Sequence, residues 1–218
     1  MFFRKFVKGI SGIKYDEAEQ LLIYHGIDCN YWRQKNTITN AEIKDRLTED
    51  NLIKHLNRYS DPLPVADPLL SLGKTYGEVT PFISTSAGAI QRDAFNKRNI
   101  IFPPFMTALR FATRKYKANG FIFYGYLITI GKKSVELQQF SEEVRELHIY
   151  KQFLPYHDEG EIVAKITIPA VQLEFAEEYN GSDALDDLRH GLKPRPVSTI
   201  VNPGYASPEN YKNISELL

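Results

Sequence analysis

The chain has 218 residues with 27 basic and 27 acidic side chains, so its formal net charge at pH 7 is zero. This balance excludes partners that recognise a protein by bulk charge alone, such as nucleic acid or an anionic membrane surface. The length and a hydrophobic content of 43% predict one domain over residues 1–218. The single cysteine, Cys29, excludes an internal disulfide and suits the cytoplasm. No apolar run approaches the ~18 residues of a membrane span, so we expect no membrane partner.

The first informative stretch is an apolar run, residues 21–24, that ends in His25 and Gly26. Such a run predicts a short buried strand, and a glycine after it lets a ligand approach the main chain. His25 is therefore a candidate ligand-binding residue, although a purely structural histidine fits the pattern as well. Arg33 follows in a mixed aromatic and polar loop.

Two helices are predicted next by their capping residues. Thr39 with Glu42 three positions later is a capping-box pattern, and Thr48 begins a second helix with apolar residues at helical spacing. We expect both N-terminal helices to be scaffold.

Residues 82–86, Phe-Ile-Ser-Thr-Ser, predict a strand that carries hydroxyl groups. Alternation puts Ser84 and Ser86 on one face and Thr85 on the other. A buried hydroxyl needs a partner, and a carboxylate on the neighbouring strand is the obvious candidate. A polar edge strand would show the same pattern.

A long loop, residues 87–103, is predicted between this strand and the next helix, and it carries Arg92, Phe95 and Arg98. Structureless loops of this length are more often functional than connecting. The helix, residues 105–118, has an apolar face and a basic face that includes Arg110. A basic face is usually only solvated, but it also suits phosphate groups. The following run, 120–130, predicts a central strand.

The strongest signal for chemistry is Glu159-Gly160-Glu161, which directly precedes a strand beginning at Ile162. Both carboxylates share one strand face at a separation of ~7 Å, so each raises the pKa of the other. One can then act as a base while its neighbour stays an anion. The loop before them carries Phe153, Tyr156 and His157, aromatic groups that suit contact with a substrate. An exposed acidic turn is the plain alternative.

Taken together, the His-Gly, Ser-Thr-Ser and Glu-x-Glu stretches resemble the mono-ADP-ribosyltransferase superfamily, in particular its toxin-like group. The similarity covers residues of about 20–175, leaving 176–218 as a C-terminal extension. The toxin-like group has arginine where this chain has His25, whereas the poly-ADP-ribose polymerase and diphtheria-toxin branch has His-Gly there. The resemblance implies an α+β fold with a split, mostly antiparallel mixed sheet and N-terminal helices packed on one side.

The resemblance also implies roles for individual residues in a reaction with NAD as co-substrate, and no metal. Glu161 would stabilise the oxocarbenium-like cation formed when the nicotinamide–ribose bond breaks, Ser84 would orient Glu161, and Glu159 would act on the incoming nucleophile. The remaining contacts to NAD would come from His25, Gly26, Thr85, Ser86 and Phe95. The cation that neutralises the pyrophosphate stays open among Arg33, Arg92, Arg98 and Arg110.

The implied activity is transfer of ADP-ribose to a macromolecule by an intracellular toxin, effector or defence factor. Glutamate at position 159 favours arginine side chains as acceptors, because a guanidinium must lose a proton during attack. A nucleic acid base is the alternative acceptor. An antitoxin or immunity protein would be a natural partner, and the site of action would be the cytoplasm of the producing cell or of a target cell. An NAD glycohydrolase, or a non-enzymatic binding module of the same fold, would show the same motifs.

Overall fold

A mostly antiparallel sheet forms the centre of the protein, which has an α+β fold. The computed structural model describes residues 2–34, 38–86, 89–92, 99–102, 104–129, 140–143 and 161–208. In chain order its strands are β1 (Phe2–Ser11), β2 (Ile27–Asp28), β3 (Phe82–Ser86), β4 (Ala89–Arg92), β5 (Asn99–Phe102), β6 (Gly120–Thr129), β7 (Phe140–Glu143), β8 (Glu161–Lys165), β9 (Thr167–Ile168), β10 (Leu173–Tyr179) and β11 (Ser198–Val201). The α-helices are α1 (Tyr15–Gln20), α2 (Asn40–Arg46), α3 (Glu49–Asn57), α4 (Pro104–Ala112) and α5 (Gly181–Arg189).

The main sheet of the described residues has seven strands in the order β1-β3-β8-β7-β6-β10-β11, and β1 also pairs with β6. Its pairs are antiparallel except for β6 with β7, which is parallel. The strands β1, β3, β8, β7 and β6 therefore form a closed circuit of neighbours. β1 joins β6 along ten paired positions and meets β3 at one, Val7 with Ser86. The β6-β10-β11 part of the sheet thus meets the β3-β8-β7 part at two places, through the pair β1–β3 and through the short parallel pair β6–β7.

The prediction of a central strand at 120–130 is confirmed, because β6 has β1 on one edge and β10 and β7 along the other. Its apolar side chains pack on both faces, which explains the nearly continuous hydrophobic run. Phe121 and Phe123 are buried in the larger core with the N-terminal helices, and Ile122 is buried in a second cluster beneath α4.

Both predicted helix starts are confirmed. The main-chain N–H of Thr39 donates to Glu42 Oε2 (2.6 Å), and that of Glu42 donates to Thr39 Oγ1 (3.3 Å). Thr48 caps α3 by accepting from the main-chain N–H of Asn51 (3.2 Å). These bonds satisfy donors that a helix leaves unpaired in its first turn.

The run at residues 21–24 is not a strand, so this prediction was wrong. Residues Leu21–His25 form a π-helix that continues directly from α1, and the N–H of Gly26 closes it on the carbonyl of Leu21 (2.8 Å). Gly26 then reverses the chain with a φ of 73°. A short apolar run fits a buried helix as well as a strand, and here packing of Leu22 in the core decides for the helix.

Residues 87–103 are not a structureless loop, because β4 and β5 pair as an antiparallel hairpin within them. The helix predicted over 105–118 is shorter, since α4 ends at Ala112. Three successive residues after it, Arg114, Lys115 and Tyr116, have positive φ angles of 46°, 58° and 69°. A left-handed backbone cannot continue a right-handed helix, so the chain turns here.

The sheet includes residues on both sides of the predicted core of about 20–175, since β1 precedes it and most of β10 and all of β11 follow it. Asn202, directly after β11, is buried, and its Nδ2 lies 2.8–2.9 Å from three main-chain carbonyls, those of Leu22, Ala170 and Leu173. The C-terminal segment is thereby tied to the π-helix and to β10. Within the described ranges, no helix has the length and apolar character needed to cross a membrane.

Candidate active site

The strands β1, β3 and β8 meet in a single row of residues. Ser86 on β3 pairs with Val7 on β1 on one side and with Glu161 on β8 on the other. Directly opposed residues of antiparallel strands have Cα atoms about 5 Å apart. The main chain therefore brings the predicted Ser-Thr-Ser strand and the predicted catalytic glutamate into direct register. We call this meeting point the strand junction.

The register also fixes which positions share a face of the β3–β8 pair. Ser84 is opposite Val163 and Thr85 is opposite Ile162. Position 161 therefore lies on the face of Ser84 and Ser86, directly across from Ser86 and diagonal to Ser84. Thr85 belongs to the other face. The alternation predicted for the Ser-Thr-Ser strand is thus present in the pairing of its main chain.

A histidine contacts the Ser84 hydroxyl in the structure, and the predicted contact with a carboxylate on the neighbouring strand stays a prediction. His55 Nε2 lies 2.8 Å from Ser84 Oγ, and the histidine comes from α3, 29 residues earlier in the chain. On its other side, His55 Nδ1 lies 2.8 Å from Thr80 Oγ1. Both ring nitrogens therefore have hydroxyl partners, which fixes the ring in place.

His55 is buried, with only 4% of its surface exposed. Its ring packs edge-on against Tyr59 (5.6 Å between centroids) and lies 5.7 Å from Phe82. Burial, together with the nearby positive charge of Lys8, lowers the pKa of His55 from 6.5 to about 3. The imidazole is consequently neutral throughout the physiological range.

A serine hydroxyl hydrogen-bonded to a histidine is also the arrangement of a catalytic nucleophile and its general base. Ser84 and His55 could therefore form such a pair. A general base works best with a pKa near the working pH, and that of His55 lies far below it. The group behind the ring is the hydroxyl of Thr80, which cannot stabilise an imidazolium as a carboxylate does. The arrangement suits holding the Ser84 hydroxyl in place better than activating it as a nucleophile.

Lys8 is the cation of the strand junction. It is half-buried on β1, and its Nζ donates to the main-chain carbonyl of Ser84 (2.9 Å). Beside it, Gly9 lets the helix α4 lie directly on β1, because a Cβ at that position would be 2.0 Å from the carbonyl oxygen of Ala108. Lys8 was not predicted from the sequence. A lysine and a glycine among the aromatic and aliphatic residues of the stretch 6–10 were the available signal.

His25 does not lie at the strand junction. It is exposed at the end of the π-helix, and the following Gly26 packs so closely on β9 that a Cβ there would be 2.2 Å from the carbonyl oxygen of Ile168. This is the opposite end of the β8–β9 segment from Glu161. The structure therefore does not bring His25 and Gly26 to the place where Ser84 and Glu161 are in register.

The other predicted site residues fall into two groups. Arg33 and Arg110 are exposed, in a 3-10 helix over Trp32–Gln34 and on α4, and Arg92 belongs to β4, where its main chain pairs with Asn99. The predictions for Glu159, Phe95, Arg98, Phe153, Tyr156 and His157 fall outside the described residues and stay predictions.

A small cavity reaches His55 from the side of α3, lined among others by Arg46, Lys54, Tyr76 and Thr80. Its volume of about 40 Å³ holds a few water molecules and is too small for a dinucleotide. Over the described ranges, there is no group of three or more side chains that could hold a metal ion.

Comparisons with known proteins leave the family open. No family model matches the chain, and no curated protein matches it. Among solved structures the chain is similar to EcPltA, with 12% sequence identity over 94% of this chain and 87% of that one. The TM-score of 0.46 is too low to establish a common fold.

Proposed function

We propose that this protein is an NAD-dependent ADP-ribosyltransferase that breaks the nicotinamide–ribose bond and transfers ADP-ribose to a macromolecule. The observation that supports this most is the register of Glu161 with Ser86, with the cation of Lys8 on the carbonyl of Ser84. Position 161, the two serines of the same strand face and Lys8 thereby belong to three adjacent strands. The position of β1, which pairs with β6 along ten residues and meets β3 at one, also supports the proposal of a split ADP-ribosyltransferase-like sheet.

The chemistry of the bond requires an anion that is held in place before the reaction begins. Loss of nicotinamide leaves an oxocarbenium-like ribose, and a fixed carboxylate stabilises that positive charge without having to reorganise. In the proposal this carboxylate is Glu161. Ser84 and Ser86 share the strand face of position 161, and in the proposal their hydroxyls hold this carboxylate by hydrogen bonds.

Lys8 takes the place that the resemblance gave to a cation on the first strand of the site. The strand that enters the junction from the N-terminal side is β1, which carries Lys8, whereas His25 lies elsewhere. In the proposal the Lys8 ammonium attracts the pyrophosphate of NAD, which is doubly negative. A lysine acts there as a point charge and does not offer the planar fork of arginine.

We propose an arginine side chain as the acceptor, on the argument that Glu159 removes a proton from the guanidinium during attack. The aromatic residues Phe153, Tyr156 and His157 would contact the acceptor protein. In this proposal the enzyme is a toxin, effector or defence factor that acts in a cytoplasm, and an antitoxin or immunity protein would restrain it.

One observation favours nucleic acid as the second candidate acceptor. At the end of α4 and in the turn after it, four basic side chains are exposed, those of Arg110, Arg114, Lys115 and Lys117. Within the described ranges no carboxylate forms an ion pair with any of them. Phe111, among these cations, is 62% exposed. Surfaces that bind single-stranded nucleic acid combine basic side chains, which bind the phosphates, with aromatic rings, on which the bases stack.

The proposal is tested by incubating the protein with NAD labelled in its adenylate part and with cell lysate. Transfer predicts release of nicotinamide and labelling of macromolecules, and sensitivity of the label to protease or to nuclease identifies the acceptor. Nicotinamide release without labelling would instead identify an NAD glycohydrolase. Neither release nor labelling would refute the enzyme and leave a binding module.

Glu161→Gln keeps the shape of the side chain and removes its charge. We expect it to lower NAD cleavage at least 100-fold, since a preorganised charge is worth about 10²–10³ in rate, while NAD binding stays nearly unchanged. Glu49→Gln, an exposed glutamate at the start of α3, is the matched control and should keep full activity. Equal activity of both variants would contradict the assignment of Glu161.

A further inference from the structure

The hydrogens in the buried chain Thr80, His55 and Ser84 can be assigned from their partners. Thr80 is 5% exposed, and its Oγ1 has two partners within the described part of the protein: the main-chain N–H of Phe82 (3.3 Å) and Nδ1 of His55 (2.8 Å). An amide N–H can only donate. The hydroxyl hydrogen of Thr80 therefore has one acceptor within reach, the lone pair of Nδ1.

The opposite assignment would leave a buried donor without an acceptor. If Nδ1 carried the hydrogen of the neutral ring, the Thr80 oxygen would accept from both sides and its own hydrogen would point at no acceptor. Leaving one buried polar hydrogen unpaired is costly enough to shift a tautomer equilibrium by tenfold or more. Nδ1 is therefore the acceptor, and the single hydrogen of the neutral ring is on Nε2.

We propose that His55 is a positioning residue that, as the neutral Nε2–H tautomer, donates to Ser84 Oγ and so directs the Ser84 hydroxyl hydrogen toward position 161 on β8. The direction of the two observed bonds then follows, from Thr80 to His55 and from His55 to Ser84, and the Ser84 hydrogen is left for an acceptor at position 161. Position 161 is the diagonal neighbour of Ser84 on the same strand face, within reach of a long side chain.

The role given to His55 in catalysis rests on the proposed function. The donor–acceptor direction of its hydrogen bonds rests only on the partners of Thr80 and His55. A serine that can rotate would donate to whichever acceptor is nearest, including the histidine itself. With Nε2–H as a donor, the histidine no longer competes for the serine hydrogen. Ser84 is then a fixed donor, and the carboxylate that receives it is held in its ionised form and in one orientation.

The direct test is nitrogen NMR of protein labelled in its histidines, which distinguishes the ring nitrogen that carries hydrogen from the one that accepts. We expect His55 to be neutral at pH 7 with its hydrogen on Nε2. Thr80→Val removes the hydroxyl without changing the shape of the side chain, and should turn the single tautomer into a mixture. Thr80→Ser retains the hydroxyl and should restore the single tautomer.

The matched control is Thr113→Val, since Thr113 is a fully buried threonine in the turn after α4 whose hydroxyl donates to the carbonyl of Leu109 (2.6 Å). That variant loses the same kind of bond and should leave the His55 signals unchanged. A hydrogen found on Nδ1 of His55, or an imidazolium at pH 7, would overturn the inference.

Kinetics gives a second reading that loss of folding would not reproduce. For NAD cleavage well below the unfolding temperature, Thr80→Val should lower kcat roughly tenfold and change KM by less than about twofold, because the bond acts on the transition state. Thr80→Ser should recover kcat. If the unaltered protein cleaves no NAD, the proposed function fails, and the nitrogen spectra still decide the orientation of His55.

Discussion

The buried imidazole of His55 makes the stability of the protein depend on pH in a range where carboxylates contribute little. In the folded protein its pKa is lowered to about 3, whereas in the unfolded chain a histidine titrates near 6.5. Below pH 6.5, His55 binds a proton in the unfolded chain but stays unprotonated in the folded protein. The contribution of His55 to stability is therefore complete above about pH 6.5 and is lost as the pH falls toward 3.

The size of the effect follows from these two pKa values. Each pH unit between them removes about 1.4 kcal/mol from the free energy of unfolding. Between pH 7 and pH 5, where the titration begins gradually, the loss is about 2 kcal/mol. Glu42, Glu78 and Asp187 also have lowered pKa values, each mainly through hydrogen bonds, but their contributions are lost only below about pH 4.5.

Urea unfolding at half-unit steps from pH 7 to pH 5 measures this slope, with His55→Gln for comparison. The variant is less stable at pH 7, since it loses a packed ring, but its stability should change by well under 1 kcal/mol over the same interval. Tyr59, whose ring packs on the imidazole, stays neutral in this range, because burial raises its pKa. Parallel slopes for the two proteins, or a folded-state pKa of His55 near 6.5 by NMR titration, would refute the reasoning.

Three further substitutions test other parts of the structure. Lys8→Gln should raise the KM for NAD by about tenfold, because it removes one charge-assisted hydrogen bond, whereas Lys8→Arg should keep a KM close to that of the unaltered protein. An equal KM for the two variants and the unaltered protein would show that Lys8 does not bind NAD. Gly9→Ala should lower the free energy of unfolding by about 3 kcal/mol, because its Cβ would overlap the carbonyl oxygen of Ala108. The control Gly191→Ala, where a Cβ meets nothing within 4 Å, costs only its positive φ, about 1 kcal/mol. Asn202→Ala should cost about 2–3 kcal/mol in urea unfolding, because its Nδ2 contacts three main-chain carbonyls; a loss below 1 kcal/mol would contradict a tie to the core.

Features that depend on short stretches of chain could be predicted from the sequence. The apolar run of β6 marks a strand that is buried on both faces, and the residues around Ser84 alternate between the two faces of β3. The capping residues Thr39 and Thr48 work locally, through atoms three positions away. The register of β3 with β8 is longer in range, yet it could be anticipated, since each strand carried polar groups that suited the other.

The first strand could not be predicted in the same way. β1 contains Arg4, Lys5 and Lys8 among its apolar residues, so its pattern is that of neither a buried strand nor an exposed one. Within the sheet, Lys8 extends to the carbonyl of Ser84, 76 residues later in the chain, and a local pattern cannot indicate such a contact. His55 was overlooked for the same reason. On an amphipathic helix it resembled scaffold, and its partner Ser84 becomes a neighbour only in the fold.

Because His55 is neutral, it does not repel the positive charge that develops on the ribose in the proposed reaction. Two like charges ~8 Å apart repel by about 2 kcal/mol at an effective dielectric constant of ~20, enough to slow a reaction about thirtyfold. An imidazolium one serine away from Glu161 would act in this way on the oxocarbenium-like ribose. The same burial that costs stability at low pH prevents this repulsion at neutral pH, since it keeps the ring uncharged. A hydroxyl at Thr80 is then the appropriate partner for Nδ1, because a carboxylate there would raise the pKa of the ring and restore the charge. Thr80→Asp should accordingly raise the His55 pKa in an NMR titration and also lower the rate of NAD cleavage. A raised His55 pKa with an unchanged rate would show that the charge of His55 has no effect on the reaction.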